Sequence, residues 1–245
     1  MKQLQKKKGI VLTSKDYKEN ARLLTILTSD GLEHTILRGA NKINSKNKAF
    51  SIAPVGIDYV ISSAKPLSTL TEASIIHNYT HIKLDSMKNL IVFAMIEKVL
   101  IFTENIDDKA MFFNFFYTIL DKLDNTQYPY IVLNLFEIKL MYLLGIAPVL
   151  NHCMICMKPH DHYVLSLKHA GTICKTCSPY VEYELNENAT KVYQYLYFIK
   201  LDKADEHFFN LIYQTNIDLD DWINQYYEKY IDFYSKAKKV IRKVL

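Results

Sequence analysis

The chain has 245 residues, 49% of them apolar and 23% charged, with four cysteines and only six Gly and six Pro. That apolar share supports one large or two small packed domains and excludes a disordered or low-complexity chain. The longest uncharged stretch, Leu140–Met157, is broken by Gly145, Pro148, Asn151, His152 and two cysteines, so no membrane span is expected. The basic start, MKQLQKKKGIVLTS, has no apolar core after it and does not read as an export signal. A cytoplasmic chain with reduced thiols is therefore expected, and paired thiols there more often hold metal than form disulfides.

Net charge is +4, but its placement is uneven. Residues 1–48 hold eleven Lys and Arg against four acids, which is +7 and leaves −3 for the rest. A second basic cluster (Lys236, Lys238, Lys239, Arg242, Lys243) closes the chain. Such asymmetry points to a polyanion, most simply nucleic acid. A lysine-rich composition without any partner gives the same arithmetic.

Residues 1–79 read as strands. Gly9–Thr13 is short and apolar, and Ala21–Thr28 and Leu32–Arg38 flank a Ser29-Asp30-Gly31 turn in which Gly31 supplies a positive φ. Val55–Ser62 and Leu67–His77 come next, separated by Ala64-Lys65-Pro66. Five short strands bury one core best by curling into a small barrel, with an OB-type barrel leading and an SH3-like barrel competing. Between the third and fourth strands, Gly39–Phe50 is a polar, basic loop whose lysines can reach a phosphate backbone.

From residue 80 to 245 the period is helical. Asp85 is placed to cap a central apolar helix running to Phe102, and Asp107–Leu123 and Tyr130–Leu144 come after it, the last ending at Gly145. Ala189–Ile199, Glu206–Thr215 and Leu219–Val244 complete the helices. The expected fold is α+β, a five-stranded OB-type β-barrel (1–79) before an all-α domain (80–245) with an inserted four-cysteine zinc-knuckle module at about 150–180.

That insertion carries the sharpest chemistry. Cys153 and Cys156 precede Cys174 and Cys177 with C-x2-C spacing in each pair and seventeen residues between them, the pattern of a zinc site. Tyr163–Leu167 and Ala170–Ile173 fit a hairpin delivering the second knuckle. Four thiolates fill a tetrahedron and leave no place for water, so one structural Zn²⁺ is expected, with an iron–sulfur cluster or redox thiols as alternatives. His152, His160 and His162 stand nearby and any one could replace a cysteine, but with four well-spaced cysteines they are read as surface residues. Asp218, Asp220 and Asp221 read as a helix N-terminus. Phosphate-loop, dinucleotide-binding, nucleophile-elbow and His-Glu-x-x-His motifs are absent, which makes an enzyme the weaker class.

In this order the pieces resemble the bacterial RecO family of recombination mediators. Gly9–Gly31 (GIVLTSKDYKENARLLTILTSDG) is similar to the family's opening strand, Tyr-x-Glu element and apolar strand ending in Thr and a turn Gly. Ile36–Lys46 (ILRGANKINSK), Leu143–Cys156 (LLGIAPVLNHCMIC) and Ala170–Cys177 (AGTICKTC) resemble its basic loop and its two knuckles. The chain departs from the family in carrying Asn41-Lys42 where adjacent arginines are common, and Met157 where a glycine often follows the second cysteine. The resemblance implies a non-enzymatic, cytoplasmic and nucleoid-associated protein that binds single- and double-stranded DNA and anneals complementary strands. It also implies action with RecR to place RecA on DNA coated by single-strand-binding protein, whose C-terminal tail the helical part would engage. Phosphate contact is expected at Lys15, Arg22, Arg38, Lys42, Lys46 and Lys48, with Tyr17 as a stacking or structural residue. A protein-interaction adaptor with incidental positive charge is the second reading, and a nuclease with an unseen carboxylate site the third.

Overall fold

Alternating apolar residues in the first eighty positions produce five strands: β1 (Leu4–Tyr17), β2 (Ala21–Thr28), β3 (Gly31–Arg38), β4 (Val55–Ser62) and β5 (Ser68–His77). They close a barrel in the order β1-β2-β3-β5-β4, with β4 returning to β1. Every seam is antiparallel except β3 with β5, which pair in parallel through Thr35–Ser68, Ile36–Thr69 and Leu37–Leu70. This is an OB-type barrel. The structure, a computed structural model, describes residues 4–42, 44–62, 67–182 and 184–244, so the expected Ala64-Lys65-Pro66 separator lies outside the described residues. Val11, Leu24, Ile26, Leu37, Val55, Ile57, Tyr59 and Ile61 fill the barrel.

The first strand is much longer than its apolar run. Its polar ends stay extended because β4 pairs with Leu4–Val11 and β2 pairs with Ile10–Tyr17. A bulge falls between Val11 and Thr13, where Val11 faces Ile26 and Thr13 already faces Thr25. The inserted Leu12 reverses the phase of the residues after it, so Lys15 and Tyr17 lie on the outer strand face while Ser14 and Asp16 take the opposite phase at the barrel rim, where Asp16 stays exposed. Gly31 takes φ +113 as the turn requires. Thr28 adds a feature that composition did not reveal, its hydroxyl accepting from Asp30 N and donating to Gly31 O. The basic loop is not wholly irregular either. Ser45 caps a short 3-10 turn, Lys46–Ser51, by accepting from Asn47 N.

Three helices come next: α1 (Thr80–Leu84), α2 (Ser86–Phe102) and α3 (Lys109–Asn125). Asp85 caps α2 as expected, its Oδ1 accepting from Met87 N at 2.8 Å and Lys88 N at 2.9 Å. Strands give way to helices at residue 80, but the compact units are Met1–Asn125 and Thr126–Leu245, so α1–α3 belong with the barrel.

The second unit holds α4 (Pro129–Leu143), the hairpin β6 (Tyr163–Ser166) and β7 (Gly171–Cys174), then α5 (Glu187–Phe198), α6 (Glu206–Gln214), α7 (Asp220–Ile231) and α8 (Lys236–Val244). Helix α4 is apolar on nearly every side and is buried accordingly. It ends in a Schellman motif, Ile146 N donating to Met141 O and Gly145 N to Tyr142 O. Among the described residues no helix is long and apolar enough to cross a membrane.

The expected single helix Leu219–Val244 is two. Asp232 takes a left-handed conformation (φ 50, ψ 41), and Ser235 restarts the chain by accepting from Lys238 N. The break lets α8 turn Lys238 into the core. Its Nζ donates to Glu137 Oε2 at 2.8 Å and also pairs with Asp220, and its side chain is only 4% exposed. Burial opposes the Lys238 charge, but the two carboxylates overcome it and raise its pKa. The lysine therefore keeps its charge at neutral pH, and its side of the ion cluster is lost as pH climbs through that raised value. Lys238→Ala is expected to cost about 3–5 kcal/mol, because it strands two carboxylates. Urea denaturation of the full chain measures this, and an unchanged midpoint would refute it.

Candidate metal centre and nucleic-acid interface

Two short loops aim the four cysteines at one point. In the first knuckle, Met157 N donates to Cys153 O at 2.9 Å, Cys153 N to Lys158 O at 3.0 Å, and Ile155 N to Cys153 Sγ at 3.4 Å. Strand β7 brings Cys174, and Cys177 N closes the second turn onto Cys174 O at 3.0 Å. Gly171 lets the two parts approach, since a Cβ there would sit 2.7 Å from Met154 Cγ and 2.8 Å from Val149 O. The result is one group of four sulfurs, all within 4.8 Å of one another. Cys156 Sγ and Cys174 Sγ are 3.9 Å apart. A thiolate tetrahedron with metal–sulfur bonds of about 2.3 Å has edges of about 3.8 Å, so the donor set fits a tetrahedral cation.

Charge explains why a cation suits this place. Burial raises the Cys153 thiol, but backbone N–H groups of Cys156, Cys174 and Ile155 more than offset it and bring Cys153 down to about 6. Cys177 is pushed up to about 12 by desolvation and by the neighbouring thiols. Four converging sulfurs cannot all ionise unless a positive ion compensates them. Cys153 and Cys174 are fully buried, whereas Cys156 and Cys177 are half-buried, giving the centre an inner and an outer pair.

The three nearby histidines differ in placement. His162 pairs with Glu187 at 2.8 Å and His152 with Asn151 at 2.8 Å. His160 is exposed, as is His162, while His152 is half-buried; His160 Nε2 lies 3.3 Å from Cys156 Sγ. Met157 adopts φ 57 in the position where glycine would fit without strain.

The barrel organises the basic residues by strand phase. Lys15 faces Leu23 and Tyr17 faces Ala21 across β1–β2, while Ala21 faces Arg38 and Leu23 faces Ile36 across β2–β3. These six residues share the outer surface. Tyr17, Lys18, Asn20, Ala21, Ile36, Arg38 and Lys42 line an open groove of about 630 Å³ there. Lys18 Nζ stands 5.4 Å from the Tyr17 ring centroid. Lys15, Arg38, Lys42, Lys46 and Lys48 are exposed.

Arg22 is the exception among the expected DNA-binding residues. It faces Asp16 and the core residue Leu37, which is the inward phase at the barrel rim. Its Nε donates to Ser14 Oγ at 2.6 Å and its Nη1 lies 3.5 Å from Asp16 Oδ1, so the structure does not bring it to the groove. Lys7 is likewise turned onto Glu33 at 2.6 Å. In the C-terminal cluster Lys238 is buried, and the side chains of Arg242 and Lys243 lie outside the described residues.

Fold and sites together define a class: an OB-barrel protein with a four-cysteine module able to hold a metal ion, set into a helical second part. Comparison with known families narrows it. Residues 1–79 match the model described as recombination protein O N terminal, and residues 84–239 the one described as recombination protein O C terminal. The chain therefore belongs to the RecO family of DNA repair and recombination proteins. It is 24% identical to the DNA repair protein RecO of Listeria innocua, over 98% of this chain and 94% of that one. Similarity to the Bacillus subtilis DNA repair protein RecO is 26%, over 97% and 94% of the two chains.

Met157→Gly removes a left-handed non-glycine residue and is expected to stabilise the chain by about 0.5–1 kcal/mol. A higher thermal midpoint is the readout, and a midpoint at or below the parent's would contradict it.

Proposed function

We propose that this chain is a non-catalytic mediator of recombinational repair. In this reading it binds single- and double-stranded DNA and anneals complementary strands. With RecR it helps place RecA on DNA coated by single-strand-binding protein. The observation that supports this is the outer β1–β2–β3 surface, where Tyr17, Leu23 and Ile36 lie among Lys15, Arg38 and Lys42. That strand face and the adjoining β1–β2 loop are where OB barrels take oligonucleotides. Lysines along the groove and on the Lys46–Ser51 turn track phosphates, and the Tyr17 ring with its apolar neighbours offers bases a flat surface. Contacts of this kind leave the pairing edges of the bases free, which annealing requires.

The barrel, residues 1–79, carries DNA in this proposal. Residues 80–245 carry RecR and the tail of single-strand-binding protein, with the knuckle module at about 150–180. One Zn²⁺ fits the all-thiolate tetrahedron at Cys153, Cys156, Cys174 and Cys177 and leaves no position for substrate, so its contribution is to cross-link the two knuckles. The protein acts in the cytoplasm, at the nucleoid.

DNA affinity is expected to fall with salt, with a log–log slope of roughly −0.7 for each phosphate contacted on single strands. Replacing Lys42, Lys46 and Lys48 with Glu should flatten that slope and weaken binding while the circular dichroism spectrum is kept. A flat slope for the parent chain would instead favour a protein-interaction adaptor. Separately, Cys153→Ser with Cys156→Ser should abolish about one equivalent of zinc measured by elemental analysis and lower the thermal midpoint. Parent protein purified without chelators and free of zinc would defeat the metal assignment.

A further inference from the structure

We propose that His160 is a fifth functional member of the metal centre, a hydrogen-bond donor that holds the Cys156 thiolate on the metal. The inference rests on the reading that the four cysteines bind an ion. Its starting point is the unequal exposure of the ligands. Cys153 and Cys174 are sealed in, so attack by a chelator or electrophile must begin at an outer sulfur, Cys156 or Cys177.

His160 Nε2 sits against one of these, 3.3 Å from Cys156 Sγ. That position is built rather than incidental. The His160 backbone N–H donates to Tyr163 Oη at 2.6 Å, and the two rings meet edge to face at 6.4 Å. Tyr163 begins β6 and pairs directly with Cys174 on β7. The strand pair that carries the third ligand therefore also fixes the histidine beside the second ligand.

His160 is not itself a ligand in this account, because four sulfurs already complete the tetrahedron. With its proton on Nε2, the ring directs an N–H at the sulfur and withdraws charge from it. A site of four thiolates around one divalent ion carries an excess of negative charge, and N–H donors around the sulfurs relieve it. Ile155 N supplies such a donor to the inner Cys153. His160 supplies a side-chain donor to the outer Cys156, where solvent competes.

The test compares the zinc-loaded full chain with His160→Ala and His160→Gln, the glutamine retaining an N–H at similar reach. Zinc transfer to a chromophoric chelator is followed with time, and maleimide alkylation of Cys156 is mapped by mass spectrometry. His160→Ala should bind one zinc with unchanged circular dichroism, release it roughly tenfold faster and expose Cys156 to alkylation. His160→Gln should recover much of the parent rate. Release and alkylation equal to the parent's would overturn the proposal. So would a Co²⁺ derivative whose thiolate charge-transfer bands show three sulfurs in the parent and an altered ligand set in His160→Ala, since His160 would then be a ligand. If the parent chain binds no metal, the metal reading itself fails and this inference falls with it, a result distinct from either of the others.

Discussion

Strand phase is the constraint on which the barrel surface depends. One inserted residue, Leu12, decides whether Lys15 and Tyr17 or their neighbours Ser14 and Asp16 stand on the outer face of β1–β2–β3. Because side chains alternate strictly, the same composition in the other phase would present an acid and a hydroxyl where a cation and an aromatic ring now stand. The parallel seam between β3 and β5 fixes the other edge of that surface, since Leu37 in the core and Arg38 outside are set by the pairing of Leu37 with Leu70. The DNA-binding proposal is thus a statement about register as much as about charge.

The metal module obeys a different logic. A two-stranded hairpin is marginal alone in water, and β6–β7 has only four residues in each strand. The small cluster around Cys153, Ile173 and Cys174 adds some apolar burial. An ion joining the four sulfurs would supply the cross-link that such a small core lacks. Bridges from Val149 to Gly171 and from Leu165 to Leu185 then tie the hairpin to the flanking chain.

Much of this was legible in the residues. Ala21–Thr28 and Val55–Ser62 are strands as their β-branched, turn-bounded runs required, and the C-x2-C pairs converge as their spacing required. Charge placement was only partly legible. Counting cations located them on the front of the chain, but strand pairing commits Arg22 to Asp16 and Ser14 and turns Lys7 onto Glu33. Lys238 looked like one more surface lysine because its two carboxylates come from distant segments. The break at Asp232 was hidden for a related reason: the apolar period continues through it, and only the left-handed residue separates the helices. His160 stood close to Cys156 in sequence, but so did His152 and His162, and what singles it out is Tyr163 standing opposite Cys174.

The Lys238–Glu137 pair also bears on the order of events during synthesis. Its partners are 101 residues apart, and the cation follows the acid in the chain. A growing polypeptide exposes the acid in the middle of α4 long before its counter-ion leaves the ribosome. The Met1–Asn125 unit precedes both partners, so it can complete its packing while translation is still under way. Closure of the second unit around Glu137 waits for the synthesis of α8.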